Sequence, residues 1–358
     1  MDILSQLSEL LPILPPFELE RAERDEAQQE VHLYLKLDKS HIPKGYSLHS
    51  HYPRSWEHLK LFEYRCFIHC DLPIYKHKAR GTLKKAEVSF SRDYSRFTLK
   101  YEAEVMRLMK LHHCFVKVAQ TLGIYPQRVE QIYHHHTAEL QGDYLAEVPT
   151  HIGYDETSSR KGHEYITTFY DMHTHKIVGV YEGRSSECVA AFMHEHPNPQ
   201  AVQEISIDMS PAFIKGARQC FPQAAITFAK WHVIKLLYKH LGDLKGKAHR
   251  FNVIIESLME KLSAFYQSKG KEEGAAQLRF IADLAYELIG KNAITNTIDR
   301  YWEGICRYWT SKLNNGVLEG INSKIQVIKR VARGFRYKQN FMKMIRFVFT
   351  KTEFQVIS

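Results

Sequence analysis

The chain alternates between stretches of short apolar runs and stretches with helical periodicity. Over residues 31–100, β-like runs at 32–37, 62–72 and 87–90 are separated by basic and aromatic turns. Residues 101–140 change period. Glu102, Val105, Met106, Leu108 and Met109 lead into 116–120 with the i, i+3, i+4 spacing of an amphipathic helix. Gln141-Gly142-Asp143 reads as a linker. Beyond His151 strands return. Ile152-Gly153-Tyr154-Asp155 reads as a strand end, and runs 164–170 and 177–181, joined by 171–176, predict an antiparallel pair. A helix is expected over 185–195 with Ser185 as its N-cap. A short strand over 204–207 ends at Asp208, and Pro211 then opens a helix at the first-turn position that tolerates proline. A further strand over 225–228 precedes a helix from His232. The order β-β-β-α-β-α-β-α is that of a mixed α/β sheet. Residues 240–312 carry helical periodicity and no strand signal. No internal repeat or low-complexity tract interrupts this pattern.

One helical pair has a definite design. Ala119 is small where two helices must approach closely. Gly123 follows four residues later, where the turn favours a left-handed backbone. Pro126 can start the second helix, Val129 and Ile132 pin it to the first, and Gln127, Arg128 and Gln131 then face outward. A helix-turn-helix of this kind places such side chains in a DNA major groove, although a plain helical hairpin shares the spacing.

Composition narrows the classes. With 358 residues, 44% hydrophobic and 25% charged, the chain is globular and long enough for about two domains plus an insertion. No apolar run reaches the ~18 residues of a membrane helix. The start, Met1-Asp2-Ile3-Leu4, lacks a basic region ahead of an apolar one, so no cleaved secretory signal is expected. Six cysteines without a Cys-x-x-Cys pair read as reduced thiols in a cytoplasmic protein. The formal charge of +9 is unevenly spread. Residues 1–30 hold eight acids and two basic residues, whereas 76–100 hold eight Lys or Arg against Glu87 and Asp93. Residues 317–347 hold eight (Lys324, Lys329, Arg330, Arg333, Arg336, Lys338, Lys343, Arg346) against Glu319. Such clusters suit a polyanion, or form a solvated helix face.

Three carboxylates stand at positions suited to metal-ion chemistry. Asp155 follows a strand-like run, Asp208 ends a strand, and Glu319 lies in a helix with Leu318, Ile321, Ile325 and Ile328 as its buried stripe. Asn315, Glu319, Asn322 and Gln326 share an adjacent polar face. Hard oxygen donors brought together by a sheet and a helix suit Mg²⁺. Two such ions about 3.5–4 Å apart activate an attacking oxygen and stabilise a leaving one. Any single acid is more simply a solvated side chain. No Walker A loop, GxGxxG or HExxH motif supports another enzyme class.

The residues also carry a family resemblance. The run from Tyr154-Asp155-Glu156-Thr157-Ser158-Ser159 to Tyr165 resembles the first catalytic motif of the IS-L-three family of bacterial insertion-sequence transposases. Ser206-Ile207-Asp208-Met209-Ser210-Pro211 resembles the second. Asn314-Asn315-Gly316-Val317-Leu318-Glu319-Gly320-Ile321-Asn322, followed by Lys329-Arg330-Val331-Ala332-Arg333-Gly334-Phe335, resembles the third. Arg54-Ser55-Trp56-Glu57-His58-Leu59 and Ser95-Arg96-Phe97-Thr98 resemble upstream signatures. The resemblance implies a ribonuclease-H-like core of DDE type with a helical insertion. It implies Asp155, Asp208 and Glu319 as catalytic residues holding two Mg²⁺ ions, with Mn²⁺ as a substitute. Lys324, Lys329, Arg330 and Arg333 would contact phosphates. Partners would be double-stranded DNA, as inverted-repeat ends and target, and further copies of the chain on that DNA.

The implied domains are an N-terminal DNA-binding region (1–100), a helix-turn-helix (101–142) and the first part of the core (143–239). A helical insertion (240–312) and a C-terminal catalytic helix with a basic tail (313–358) follow. Localisation would be at the bacterial nucleoid, with no membrane association. Three departures stand out. The family's N-terminal zinc cysteines are missing, leaving Cys66 and Cys70 with His69 and His77 nearby at spacing unlike a zinc knuckle, so zinc is not expected. Packing of Trp56, Leu59, Leu61, Phe62 and Phe67 should replace it. The family's Asp-x-x-His motif is here Ala229-Lys230-Trp231-His232, with His232 left either to support a core carboxylate or to cap its helix. The 111 residues from Asp208 to Glu319 are short for the family. A transposase of reduced activity, a transposase-derived DNA-binding protein, or a nuclease on the same fold are the alternatives.

Overall fold

The computed structural model describes residues 11, 13, 15–138, 149–159, 164–247, 252–311, 313, 316–335 and 337–349. The linker at 141–143, Asn314, Asn315, Arg336 and residues 160–163 of the first motif lie outside them, as does the side chain of Leu318. Two compact units are formed, one running to His136 and the other spanning Thr137–Thr350.

The first unit is a sheet with three helices. Strands β1 (Phe17–Asp25), β2 (Glu30–Leu37), β3 (Tyr46–Leu61) and β4 (Tyr64–His77) lie in the order β1-β2-β4-β3, and β5 (Leu83–Lys85) adds to β4. The β2–β4 pair is parallel; β1–β2 and β3–β4 are antiparallel. One face buries Phe17, Leu33, Leu35, Trp56, Cys66, Ile68, Cys70 and Leu72. A buried side chain of this size contributes roughly 1.5–3 kcal/mol. Three sequence expectations change here. The strand lies at Leu83–Lys85 rather than 87–90. The strands β1 and β3 have no counterpart in the predicted elements. Phe62 is not core but 94% exposed at the β3–β4 turn, with a φ of 56°. Trp56 does pack inside, whereas Leu59, Leu61 and Phe67 are half-buried.

Helices α1 (Leu99–His112), α2 (Phe115–Leu122) and α3 (Pro126–His136) follow. Thr98 caps α1, accepting from the Tyr101 N–H. Between α2 and α3, Gly123 has a φ of 72°, the left-handed geometry that its lack of Cβ permits. Val118, Ala119, Val129 and Ile132 close the pair, each at most 2% exposed. Gln127 and Gln131 are exposed, and Arg128 donates to the Gln131 side-chain oxygen at 3.2 Å.

The second unit is built on a five-stranded sheet. Strands β6 (His151–Ser158), β7 (Tyr165–Asp171), β8 (Ile177–Glu182), β9 (Glu204–Ile207) and β10 (Ala225–Phe228) lie in the order β10-β9-β6-β7-β8. The first three form an antiparallel meander; β9 and β10 continue it in parallel. Helix α4 (Ser186–Glu195) follows β8, α5 (Pro211–Cys220) follows β9, and α6 (Lys230–Lys247) follows β10. Ser185 holds the N-cap position of α4 but makes no side-chain cap bond. Gly216 lets α5 close on α4, since a Cβ there would meet Val189 at 2.8 Å. Helices α7 (Asn252–Phe265), α8 (Lys271–Ile289), α9 (Ala293–Cys306) and α10 (Tyr308–Ser311) fill the region expected to be helical. They share one apolar core with the sheet, from Ile152 and Phe169 through Leu241 and Leu262 to Ile305. Helices α11 (Gly316–Val331) and α12 (Lys338–Phe349) end the described chain. Ile321, Ile325 and Ile328 form the buried stripe of α11, as its period requires.

Candidate active site

Strands β6 and β9 pair in parallel only as far as Gly153 and Ser206. Asp155 and Asp208 each lie two residues beyond that last pair. A strand repeats its facing every two residues, so both carboxylates leave on the side of the pair from which they came. The strands part there and open a cleft. Its lining includes Asp155, Asp208, Ala229, Trp231, His232, Glu319 and Asn322. Asp155 is not at a strand end: β6 continues through it to Ser158 because its other edge remains paired with β7, Asp155 lying opposite Thr168. Asp208 directly follows β9, and its Oδ1 accepts the Ser210 N–H at 2.9 Å. Glu319 stands exposed in the first turn of α11.

The cleft is acidic, with His232 beside Asp155 and Arg184 3.9 Å from Glu156 among its basic neighbours. Burial first, and then the charge of Asp155, hold Asp208 above the ordinary carboxylate range against the Ser210 bond and His232. Glu156 is raised by burial and by the charges of Asp208 and Asp155. His232, in the first turn of α6, has its Nε2 3.8 Å from Asp155 Oδ2. Burial opposes its protonation, but Asp155 and Asp208 outweigh that and raise its pKa. His232 therefore lies beside a core carboxylate. Asp155 is the most tightly held member. Its Oδ1 accepts the Glu156 N–H at 2.8 Å, and its Oδ2 accepts the Asn322 amide at 2.6 Å.

The four basic residues of α11 and its end are not equivalent. Lys329 is half-buried and donates to the Ser158 carbonyl at 2.6 Å. Lys324, Arg330 and Arg333 are exposed. Sequence reasoning did not find Trp231, exposed at the cleft and partnered by Lys235 at 4.4 Å from its ring, or the buried Tyr170 behind Asn322. An aromatic inside a strand run carries no mark that separates it from core.

In the first unit, Cys66 and Cys70 point into the core as free thiols, each pushed up to about 12 by burial. His69 lies on the other face, bonded to His32 at 2.9 Å and Ser55 at 2.8 Å. Cysteine and histidine therefore do not converge. Among the described residues no three His, Cys, Asp or Glu side chains form a preformed metal cage in either unit. No helix among them is long and apolar enough to cross a membrane.

A family model described as a transposase, that of the ISL3 group, matches residues 152–252 and 257–345. A second, the helix-turn-helix domain of transposase family ISL3, matches residues 86–137. The transposase for insertion sequence element IS1001 of Bordetella parapertussis is 24% identical over 246 residues, covering 56% of this chain and 61% of that protein.

Proposed function

The chain belongs to the IS-L-three transposase family, and on that premise we propose that it is a DDE-type enzyme with a ribonuclease-H-like core that cleaves insertion-sequence ends and joins them to target DNA. The observation that carries this reading is the meeting of Asp155, Asp208 and Glu319, far apart in sequence, around one cleft where β6 and β9 separate. The strand order β10-β9-β6-β7-β8, an antiparallel meander extended by two parallel strands, supports it.

The donor set fits a divalent cation in kind: carboxylate oxygens, two of them from the sheet, in a site where burial and like charge outweigh the His232 imidazole and keep Asp208 raised. Asp155, Asp208 and Glu319 would hold the metal, and oxygen donors of this type suit Mg²⁺ or Mn²⁺. Divalent cations held there would supply positive charge to the attacking and the leaving oxygen. The residues of the chain do the rest. Asn322 and the Glu156 N–H fix the Asp155 carboxylate. Lys324, Arg330 and Arg333 offer exposed charge to phosphates, an attraction that weakens with salt. Gln127, Arg128 and Gln131 face outward from α3 toward base edges in a major groove. Water attacks the end phosphodiester in line and loses a proton as the P–O3′ bond breaks and the 3′ oxygen takes one up. The freed 3′-hydroxyl then attacks a target phosphodiester, loses its proton, and displaces that strand's 3′ oxygen as a hydroxyl.

Ala229 favours a second reading, a family member with weakened chemistry that acts chiefly by binding DNA. It lines the cleft as a methyl group where the family resemblance expects an acid. DNA carrying the flanking inverted repeats, incubated with the protein and Mg²⁺ or with EDTA, separates the readings. Metal-dependent joined products support the transposase, nicks alone indicate a nuclease, and tight binding without either product indicates the binding protein.

A further inference from the structure

We propose that Tyr170 and Asn322 are positioning residues, which hold Asp155 in the orientation from which it takes a metal ion. The inference rests on the reading of the cleft above and adds two side chains to it. Tyr170 comes from β7, the strand beside β6, and is fully buried. Its hydroxyl donates to Asn322 Oδ1 at 3.0 Å, and Asn322 Nδ2 donates to Asp155 Oδ2 at 2.6 Å.

The chain of bonds has a direction. An asparagine amide offers an acceptor at one end and donors at the other. A carboxylate accepts only, so the nitrogen must face Asp155 and the oxygen must face the tyrosine. The Tyr170 hydroxyl, buried and needing an acceptor, holds the amide in that sense. Reversal would set the amide oxygen against the carboxylate and leave the hydroxyl facing an NH₂ group. Asp155 is thereby gripped at both oxygens, by Asn322 and by the Glu156 N–H, and each oxygen keeps a further lone pair for a ligand.

Asn322 also lies three residues after Glu319 on α11, hence on the same face. The contact that orients Asp155 therefore sets where Glu319 enters the cleft. A second tie, from Lys329 to the Ser158 carbonyl, fixes α11 farther along β6. Helix docking can then continue through Lys329 when Asn322 is altered, which makes the two roles separable.

The test is Mn²⁺ binding to the purified full-length protein, followed by electron paramagnetic resonance, with thermal melting in parallel. Wild-type binding should disappear in Asp155→Asn. Asn322→Ala should weaken Mn²⁺ by about 10–100-fold, the usual loss when the group supporting a metal ligand is removed. Tyr170→Phe, nearly isosteric, should weaken it less, and should add nothing in the Asn322→Ala background because it acts only through that amide. Unchanged Mn²⁺ affinity in Asn322→Ala, with only a lower melting temperature, would overturn the inference in favour of simple helix docking. If Asn322→Ala does not fold, Tyr170→Phe decides: unchanged affinity there overturns it equally. A wild type with no Asp155-dependent Mn²⁺ binding would sink the reading of the cleft, and this inference with it.

Discussion

Glu102 in the first unit and the half-buried acids of the cleft in the second are surrounded in opposite ways. In the first unit Glu102 is fully buried, yet every direction around it is answered. Arg92 donates to both its oxygens at 2.9 Å, Ser95 at 2.6 Å, and His136 approaches to 2.7 Å. Burial pushes its pKa up, but those bonds prevail and hold it below the ordinary range. In the second unit Asp208 and Glu156 are raised by burial and by neighbouring carboxylates, although His232 stands near both and Arg184 lies 3.9 Å from Glu156. A satisfied buried acid joins elements; Glu102 ties the 91–98 loop, α1 and the end of α3 together. An unsatisfied cluster in a cleft costs stability and is the mark of a place where a charged ligand completes the structure.

The largest effect that would test this contrast is at Glu102. Glu102→Ala should destabilise the first unit by about 3–5 kcal/mol, the cost of breaking a buried ionic network by removing one partner. Urea unfolding would read it, and a loss below about 1 kcal/mol would mean that the network adds nothing beyond its packing. Asp155→Asn should do the reverse of structural damage. Folding and DNA affinity should stay near wild type, while end cleavage falls by more than the roughly 10–100-fold typical of lost supporting groups. Parallel loss of binding and cleavage would place Asp155 in DNA contact instead.

The pH response should differ in sign between Glu102 and the cleft acids. A carboxyl whose folded pKa is depressed contributes stability above its unfolded pKa and loses it as pH falls through the folded value. For Glu102 the loss therefore begins below the ordinary glutamate value of 4.5. For Asp208 and Glu156 the folded state prefers the proton, so stability is lost as pH rises from 3.8 and 4.5 through their raised values. Melting curves from pH 3 to 7 should show Glu102→Gln abolishing part of the acid loss. Asp208→Asn should be more stable than wild type near neutrality in EDTA. A destabilised Asp208→Asn would show that its bond to Ser210, rather than charge crowding, governs that carboxylate.

The same contrast explains what the sequence could disclose. Strands β9 (Glu-Ile-Ser-Ile) and β10 (Ala-Ile-Thr-Phe) place a large apolar residue at every second position, and their limits match expectation residue for residue. The helix pair around Gly123 was readable because a left-handed turn and a close approach each demand a particular small residue. By contrast, β1 reads Phe-Glu-Leu-Glu-Arg-Ala-Glu-Arg-Asp, and β3 contains Pro53 and three histidines. Those strands are held by partners that local propensity does not see, and Pro53 is tolerated because β3 lies at one end of the sheet order. Asp155 was legible as a candidate but not as a residue inside a strand, because its pairing with β7 comes from downstream. Tyr170 and Asn322 are 152 residues apart, and nothing local announces their bond.

The smallest effect, and the sharpest test of the unsatisfied cleft, is at Ala229. This residue is 5% exposed, directly follows β10, and donates its N–H to the Ile207 carbonyl at 2.8 Å, one residue before Asp208. A carboxylate placed here joins a group of acids already crowded by burial and like charge. In EDTA the Ala229→Asp protein should therefore melt below wild type. With cations bound the sign reverses, because a further hard oxygen answers their charge or orients His232 beside Asp155. Mn²⁺ should bind more tightly, and end cleavage at saturating Mg²⁺ should rise by at least about tenfold, the lower bound for a restored supporting group. Opposite shifts in EDTA and in Mg²⁺ are what an electrostatic role requires; a protein that is less stable under both conditions has only been overpacked. Equal cleavage rates at equal DNA affinity would show that the methyl group is sufficient at this position and that the chemistry relies on Asp155, Asp208 and Glu319 alone.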